Sequence, residues 1–314
     1  MSAKVETLIE CSCVSVGEGP HWDGESHTLL YVDIIDGSLH RWSATTGLDE
    51  KHTFDTFCSL VVPCRKGGYL ISLGKSICHF DWDTKKVIIL HTVDEGLDTR
   101  INDGKCDASG RLWFGTMTMQ NAQGERELYK GSLYSLEVDG TVRKHKGEIT
   151  VSNGLAWSAD NRTMYYIDSH PRKVFAYDFD LSSGTLSNAR VAIDFDDETK
   201  QLEGFPDGMT IDVNGKLWVA CFHGGKVVQL DPVTGNTITS IEVPVNRPTS
   251  CCFGGTNYDE LFITCSRYSL PEEELKQTPL AGSVFRATGL GTKGTPAPVY
   301  EGIIDKASGP DSII

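Results

Sequence analysis

The sequence lacks the long apolar segments that direct a chain into or across a membrane. Its first residues, Met1-Ser-Ala-Lys-Val-Glu, contain no apolar core of the kind found in secretory signal peptides. No uncharged run approaches the ~18–20 residues that a transmembrane helix requires. We therefore expect a cytoplasmic protein with no membrane partner.

The sequence also lacks an excess of positive charge and the cysteine spacing of zinc sites. Lysine and arginine number 29 against 43 aspartate and glutamate residues, which gives a net charge of −14. Such a chain repels phosphate backbones, so nucleic acid is not an expected partner, and its carboxylates favour cations. The ten cysteines include no Cys-x-x-Cys pair. We expect reduced thiols rather than disulfides or a zinc finger.

Apolar periodicity typical of helices is scarce, and a different pattern recurs along the chain. Each copy has a polar residue followed in most cases by glycine, a short strand, a polar turn and a strongly apolar strand. Five copies are legible, and they begin with Glu18-Gly, Asp103-Gly, Asn153-Gly, Asp207-Gly and Ser250-Cys. A sixth, fainter copy begins near Ser59.

The repeat predicts an all-β fold built from antiparallel meanders. Turns such as Asp23-Gly24 and Asn214-Gly215 are typical of tight hairpins. Six copies in 314 residues correspond to about 52 residues each, slightly more than the usual length of a propeller repeat. We predict a six-bladed β-propeller of four-stranded antiparallel blades, with residues 1–314 forming a single domain. A pair of open β-sandwiches is the alternative, but it would not require a polar residue and glycine in each copy.

Two further segments resemble strands that remain once six repeats are counted. They are Val5-Glu-Thr-Leu-Ile near the N-terminus and Pro298-Val-Tyr-Glu near the C-terminus. One of them is expected to complete the last blade. The recurring tryptophans are expected to pack between blades, and the connections over 118–130 and 269–280 to cover one mouth of the channel.

The repeat also predicts a cation site on the propeller axis. The first strand of each blade lines the channel, so equivalent residues should face one another at one mouth: Glu18, Asp103 with Asn102 beside it, Asn153, Asp207, and Ser250 or Ser59. Carboxylates that meet in this way are costly to bury unless a positive ion lies among them. Carboxylate and amide oxygens suit Ca²⁺, Mg²⁺ or Mn²⁺, with Zn²⁺ possible where ligands are few.

The chain resembles the senescence marker protein or regucalcin gluconolactonase family, which includes insect luciferin-regenerating proteins. The motifs that carry the resemblance extend over nearly the whole chain: Gly17-Glu-Gly-Pro-His-Trp-Asp, Arg100-Ile-Asn-Asp-Gly-Lys, Phe114-Gly-Thr-Met, Ser152-Asn-Gly-Leu-Ala-Trp-Ser, Pro206-Asp-Gly-Met-Thr-Ile-Asp, Lys216-Leu-Trp-Val-Ala, Thr249-Ser-Cys-Cys-Phe-Gly-Gly and Thr288-Gly-Leu-Gly-Thr-Lys-Gly.

The resemblance implies a six-bladed propeller with one catalytic divalent metal. It places the metal ligands at Glu18, Asn153 and Asp207, and substrate contacts at Arg100 and Asn102. The family also has an acidic contact shortly after Gly-Thr-Met, where this chain has Gln120. A glutamine can hydrogen-bond a hydroxyl group but cannot act as a charged acceptor.

Together with these residues, the resemblance implies a metal-dependent lactonase that acts on a small sugar lactone. Asp207 is the predicted catalytic base, and Gln120 joins Arg100 and Asn102 as a predicted substrate contact. Two alternatives stay open: a luciferin-regenerating type of enzyme with a heteroaromatic substrate, and a non-catalytic calcium-binding regulator. We expect a monomer or a weak homo-oligomer whose partner is the small lactone.

Overall fold

A computed structural model of the chain describes residues 3–121 and 123–304. It contains six four-stranded antiparallel sheets and one short helix, so the predicted β-propeller is confirmed. Each sheet is one blade, and within five of them the strands follow the order of the chain from the axis outwards. None of the described helices is both long and apolar enough to cross a membrane.

The strands of the first three blades occupy the first half of the chain. Strand β1 (Lys4–Ile9) is the exception, because it belongs to the sheet of blade 6. Blades 1 to 3 contain β2 (Gly17–Asp23), β3 (Thr28–Asp33), β4 (Ser38–Ser43), β5 (Asp49–Thr53); β6 (Val61–Pro63), β7 (Tyr69–Leu73), β8 (Ser76–Phe80), β9 (Val87–Thr92); and β10 (Thr99–Cys106), β11 (Leu112–Thr118), β12 (Gly131–Leu136), β13 (Val142–Ile149).

The second half of the chain contains the other three blades and the helix. Their elements are β14 (Ser152–Trp157), β15 (Thr163–Asp168), β16 (Lys173–Asp180), β17 (Thr185–Asp194); β18 (Phe205–Ile211), β19 (Leu217–Phe222), β20 (Lys226–Leu230), β21 (Thr237–Glu242); and β22 (Pro248–Gly254), β23 (Glu260–Cys265), α1 (Glu272–Gln277), β24 (Val284–Thr288).

The innermost strands form a closed ring. Strand β2 lies beside β6, β6 beside β10, β10 beside β14, β14 beside β18, β18 beside β22, and β22 beside β2. This closure distinguishes a propeller from the β-sandwich alternative, because two packed sheets would leave their edges apart. It also directs the starts of all six inner strands towards one axis.

The N-terminal segment completes the last blade. Strand β1 pairs antiparallel with β24, with Lys4 opposite Thr288, and Glu6 forms an ion pair with Arg286 across this seam. The late segment does not extend blade 6: Tyr300 instead forms an isolated parallel bridge with Cys64 of blade 2. The seam joins the first strand of the chain to the last, so the ring closes non-covalently.

Tryptophans pack between neighbouring blades, as predicted. Trp113 of blade 3 contacts Trp157 of blade 4 with ring centroids 6.4 Å apart, and Trp22 of blade 1 stacks on Phe262 of blade 6 at 5.2 Å. All ten cysteines are free, and nine of them are buried, which agrees with the expectation of reduced thiols.

A buried aspartate binds the indole of some of these tryptophans. Trp113 Nε1 donates to Asp107 Oδ2 at 2.9 Å, and Trp218 Nε1 donates to Asp212 Oδ2 at 3.0 Å. Trp22 Nε1 is also buried but has no hydrogen-bond partner among the described residues. Buried indoles at the blade contacts therefore occur in two environments, one with a carboxylate acceptor for the N–H group and one without.

This difference predicts unequal costs for the same substitution. Trp218→Phe and Trp22→Phe both remove one ring from a buried contact, but only Trp218→Phe removes a hydrogen bond to a buried carboxylate. We expect Trp218→Phe to lower the free energy of unfolding by about 1–2 kcal/mol more than Trp22→Phe. Urea denaturation followed by fluorescence measures both values, and equal losses would contradict the prediction.

Candidate active site

A β-bulge occurs near the start of five inner strands. The pairing register shifts between Glu18 and His21 in β2, between Ile101 and Gly104 in β10, and between Ser152 and Leu155 in β14. Equivalent shifts lie between Pro206 and Met209 and between Pro248 and Ser250. A bulge bends its strand and changes the direction of a side chain, which separates these residues from the regular alternation of the sheet.

The glycine after the polar residue allows neighbouring inner strands to approach closely. A Cβ atom on Gly154 would lie 2.8 Å from the carbonyl oxygen of Asp207 and 2.8 Å from the backbone nitrogen of Met209. A Cβ atom on Gly208 would overlap the Ser250 side chain. Glycine at positions 154 and 208 is thus required by inter-blade contact, and it allows Asn153 and Asp207 of adjacent blades to lie close together.

All six predicted site residues line one cavity of about 500 Å³ at this end of the axis. They are Glu18, Arg100, Asn102, Gln120, Asn153 and Asp207. The chain separates the first and last of them by nearly two hundred positions, so only the closed ring brings them together. Their placement agrees with the predicted site, while the role of each residue stays a prediction.

Hydrogen bonds connect four of the residues around this cavity. Arg100 Nη1 donates to Asn102 Oδ1 at 2.7 Å, and Asn102 Nδ2 donates to Asn153 Oδ1 at 3.2 Å and to the Ser152 carbonyl at 2.7 Å. Asn153 Nδ2 in turn donates to Ser169 Oγ at 2.8 Å. Asn102 therefore links Arg100 to Asn153 and holds the amide of Asn153 in place.

The two cavity carboxylates lie in an environment that disfavours negative charge. Burial raises the pKa of Glu18 to about 8, and the charge of Asp103 adds to the shift. Burial also raises the pKa of Asp207 well above its usual range, with Glu18 and Asp103 contributing. Arg100 opposes both shifts. Two buried carboxyl groups that repel each other are stabilised by a cation between them.

The donor set fits a hard divalent cation. Glu18 and Asp207 supply carboxylate oxygens and Asn153 an amide oxygen, which are the ligand types that Ca²⁺, Mg²⁺ and Mn²⁺ prefer. Within residues 3–121 and 123–304, no group of three or more His, Cys, Asp or Glu side chains is arranged to hold a metal. The predicted set contains only two such side chains, so its third ligand has to be the asparagine.

Three residues that the repeat aligned with this site do not line the cavity. Ser59 Oγ donates to the Ile101 carbonyl at 2.7 Å, and the short Ser250 side chain packs against Gly208. Asp103 is buried, and its Oδ1 accepts a hydrogen bond from the Gly104 nitrogen at 2.7 Å. Equivalent positions in the repeat thus differ in whether their side chains reach the cavity, and the three that do not have other contacts.

Lys105 lies in the interior, and sequence analysis did not single it out. Its Nζ donates to the Met209 carbonyl at 2.7 Å, which links blade 3 to blade 5 although blade 4 lies between them. Its charge opposes the burial that raises the pKa of Asp103 and of Glu18. Its position in the sequence gave no clear signal, because the bulge between Ile101 and Gly104 interrupts the alternation that would relate Asp103 to Lys105.

Two further arginines, Arg126 and Arg247, complete the polar lining. Gln120 and Arg126 form an isolated antiparallel bridge that folds the predicted 118–130 connection over the mouth. Arg247 Nη1 donates to the Tyr268 carbonyl at 2.8 Å, and Ser269 from the second connection also lines the cavity. Loops carry no periodic sequence pattern, so neither arginine was predictable from the sequence.

Comparison with known proteins agrees with this architecture. A sequence profile described as "SMP-30/Gluconolactonase/LRE-like region" matches residues 16–267. The chain is a member of this family. Regucalcin from Homo sapiens is 42% identical over 302 residues, which cover 96% of this chain and 99% of that protein. Regucalcin from Danio rerio is likewise 42% identical over 301 residues, with the same coverage.

Solved structures of two proteins of similar sequence show the same fold. A luciferin-regenerating enzyme has a TM-score of 0.88 at 34% identity, with 96% of this chain and 100% of that chain covered. A calcium-binding protein, regucalcin, from Agrobacterium tumefaciens has a TM-score of 0.85 at 27% identity, covering 94% and 96%. The family resemblance recognised in the sequence motifs is therefore confirmed.

Proposed function

We propose that this family member is a hydrolase of small lactones that depends on one divalent cation. The observation that carries the proposal is the meeting of Glu18, Asn153 and Asp207 on one axial cavity, with Arg100 and Asn102 beside them. Membership of a family named after gluconolactonase supports the reaction class. The cavity volume of about 500 Å³ is sufficient for a sugar-sized ligand.

Glu18, Asn153 and Asp207 would hold the cation. When bound, it supplies Lewis-acid polarisation of the lactone carbonyl and a lowered pKa for a bound water molecule. Asp207 accepts the proton of the attacking water as the oxygen bonds to the carbonyl carbon. The ring C–O bond then breaks, and the proton passes to the departing alkoxide. The product is an open-chain hydroxy acid.

Arg100 and Asn102 would orient the substrate against these groups. The Arg100 guanidinium is held by the Ile101 carbonyl at 3.0 Å and by Asn102, so it faces the cavity in a fixed position. A fixed cation stabilises the negative charge that develops on the opening carboxylate. Gln120 at the mouth can donate to or accept from a ring hydroxyl.

Two other functions have support from relatives. The relatives named regucalcin, one of them titled a calcium-binding protein, favour a regulator that binds Ca²⁺ without turnover. The luciferin-regenerating enzyme favours a heteroaromatic substrate. We further propose a cytoplasmic protein, supported by its ten free thiols, in which residues 1–314 act as one domain and as a monomer or weak homo-oligomer.

A lactone panel tests the proposal against these alternatives. We expect the purified protein with Ca²⁺, Mg²⁺, Mn²⁺ or Zn²⁺ to open five- and six-membered sugar lactones, measured by acid release with a pH indicator. The same assay without protein corrects for spontaneous opening. Tight Ca²⁺ binding with no turnover on any lactone would contradict the enzyme and favour the regulator.

A further inference from the structure

Three guanidinium groups line the candidate site, and none of them has an acidic partner. Arg100, Arg126 and Arg247 form no ion pair with any residue of the described ranges. Each is held by a backbone carbonyl instead: Arg100 by Ile101, Arg126 by Thr118 and Arg247 by Tyr268. Seven other arginines of the chain do form ion pairs: Arg41, Arg65, Arg111, Arg143, Arg172, Arg190 and Arg286.

All three side chains are partly buried, and for two of them burial disfavours the positive charge. Burial lowers the pKa of Arg100 to about 10, and the nearby Arg126 adds to that shift. Burial also lowers the pKa of Arg126. Arg247 Nε is buried and has no hydrogen-bond partner in the part of the chain that the structure describes. Unpaired guanidinium donors of this kind are satisfied by a bound anion.

The acids of the cavity do not balance this charge. Among the residues that the structure describes, Glu18 and Asp207 are the only acidic ones lining it, and both are assigned to the cation in the proposed function. At the mouth, Gln120 pairs through its backbone with Arg126, and its amide side chain adds no negative charge. A site with its cation bound therefore retains the charge of three arginines.

We propose that the substrate is an anionic lactone, one that carries a carboxylate or phosphate group besides its ring carbonyl, and that Arg126 binds this group. The inference rests on the proposed function and specifies its substrate class. Arg100 lies deeper, next to Asn102, and faces the reacting end of the substrate. Arg126 lies at the rim beside Gln120, where a substituent remote from the ring carbonyl would project.

Matched lactones test the proposal. D-glucaro-1,4-lactone and D-glucono-1,4-lactone differ only in carrying a carboxylate or a hydroxymethyl group, and 6-phosphogluconolactone against gluconolactone provides the phosphate arm. We expect kcat/KM to be at least tenfold higher for the anionic member of one pair, and the advantage to shrink between low and high salt. Equal or lower kcat/KM for both anionic members would overturn the inference.

Three variants separate Arg126 from a general effect of charge. Arg126→Gln is expected to reduce the anionic-to-neutral ratio at least tenfold, and Gln120→Glu to reduce it similarly because the new carboxylate pairs with Arg126. Arg162→Gln removes the same charge from an exposed position outside the cavity and serves as the matched control, with an unchanged ratio. An Arg126→Gln ratio equal to that of the control would assign the anion to another residue and contradict the proposal.

A binding measurement separates this inference from the proposed function. Methyl β-D-glucuronide and methyl β-D-glucoside differ by the same exchange of groups and contain no lactone. We expect calorimetry with the metal-loaded protein to show at least tenfold tighter binding of the glucuronide. If no lactone is hydrolysed, the proposed function fails, and this binding ratio still decides whether the site selects an anion. A ratio near one would reject that selection.

Discussion

Replacement of Asp207 by asparagine is expected to lower kcat/KM for lactone opening by at least about a thousandfold while the propeller stays folded. The carboxylate has two tasks in the proposed mechanism, because it contributes a cation ligand and accepts the proton of water. General-base catalysis alone accounts for about 10²–10⁴ in rate. An amide of the same shape can accept no proton at neutral pH, so steady-state kinetics with the best lactone of the panel measures the loss directly.

Asp207→Asn should lower activity but raise the stability of the metal-free protein. Asp207 is buried and is repelled by Glu18 and Asp103. Removing its charge relieves this repulsion, so we expect the metal-free variant to unfold with a free energy about 1 kcal/mol or more above that of the wild type. Active sites commonly trade stability for function in this way.

Asp103→Asn is the matched control for this experiment. Asp103 is also buried near Glu18, but it does not line the cavity. We expect its variant to retain at least tenfold more activity than Asp207→Asn. Full activity of Asp207→Asn, or equal losses for the two variants, would contradict the assignment of Asp207 as base.

Removal of the divalent cation is expected to abolish turnover and to lower thermal stability together. The cavity contains the buried carboxyl groups of Glu18 and Asp207, which repel each other when charged. A cation that binds only the folded state stabilises it by RT ln(1 + [M]/Kd), about 2.7 kcal/mol at a hundredfold excess over Kd. We therefore expect chelated protein to lose more than 99% of its activity and to regain it when the ion is added.

Scanning calorimetry on chelated and reloaded protein measures the second part of this prediction. Glu18→Gln is the informative variant, because it removes one charged ligand and part of the repulsion. We expect the metal-free form of Glu18→Gln to unfold at a higher temperature than the metal-free wild type. We expect added cation to raise its unfolding temperature by less than it raises that of the wild type. Turnover that persists in metal-free protein would reject the metal-dependent mechanism, whatever the change in stability.

The propeller was predictable because its information is local and repeated. Each blade begins with a polar residue followed in most cases by glycine, and the turns between strands contain residues such as Asp23-Gly24 that favour tight hairpins. The choice between the N-terminal and the late segment as the last strand was not predictable. It depends on which segment reaches β24, and that is decided by the tertiary structure.

The candidate site was predictable to the extent that it follows the repeat. Glu18, Asn153 and Asp207 occupy equivalent positions, and equivalence in a ring implies proximity at the axis. The same inference from equivalence failed for Asp103, Ser59 and Ser250. Equivalence in the repeat predicts the backbone position of a residue but not what its side chain contacts. Lys105 is a further example, because its hydrogen bond from blade 3 to blade 5 does not follow from its position in the repeat.

The sequence by itself determined the blade pattern and the family, and it predicted three oxygen ligands, because these depend on residue type at repeated positions and in ordered motifs. Only the tertiary structure decided how the charges combine. The β-bulges set the direction of the inner side chains, ring closure brought distant carboxylates into one buried cavity, and two loops added Arg126 and Arg247. Electrostatic energy depends on distance and burial, and neither is encoded by position along the chain.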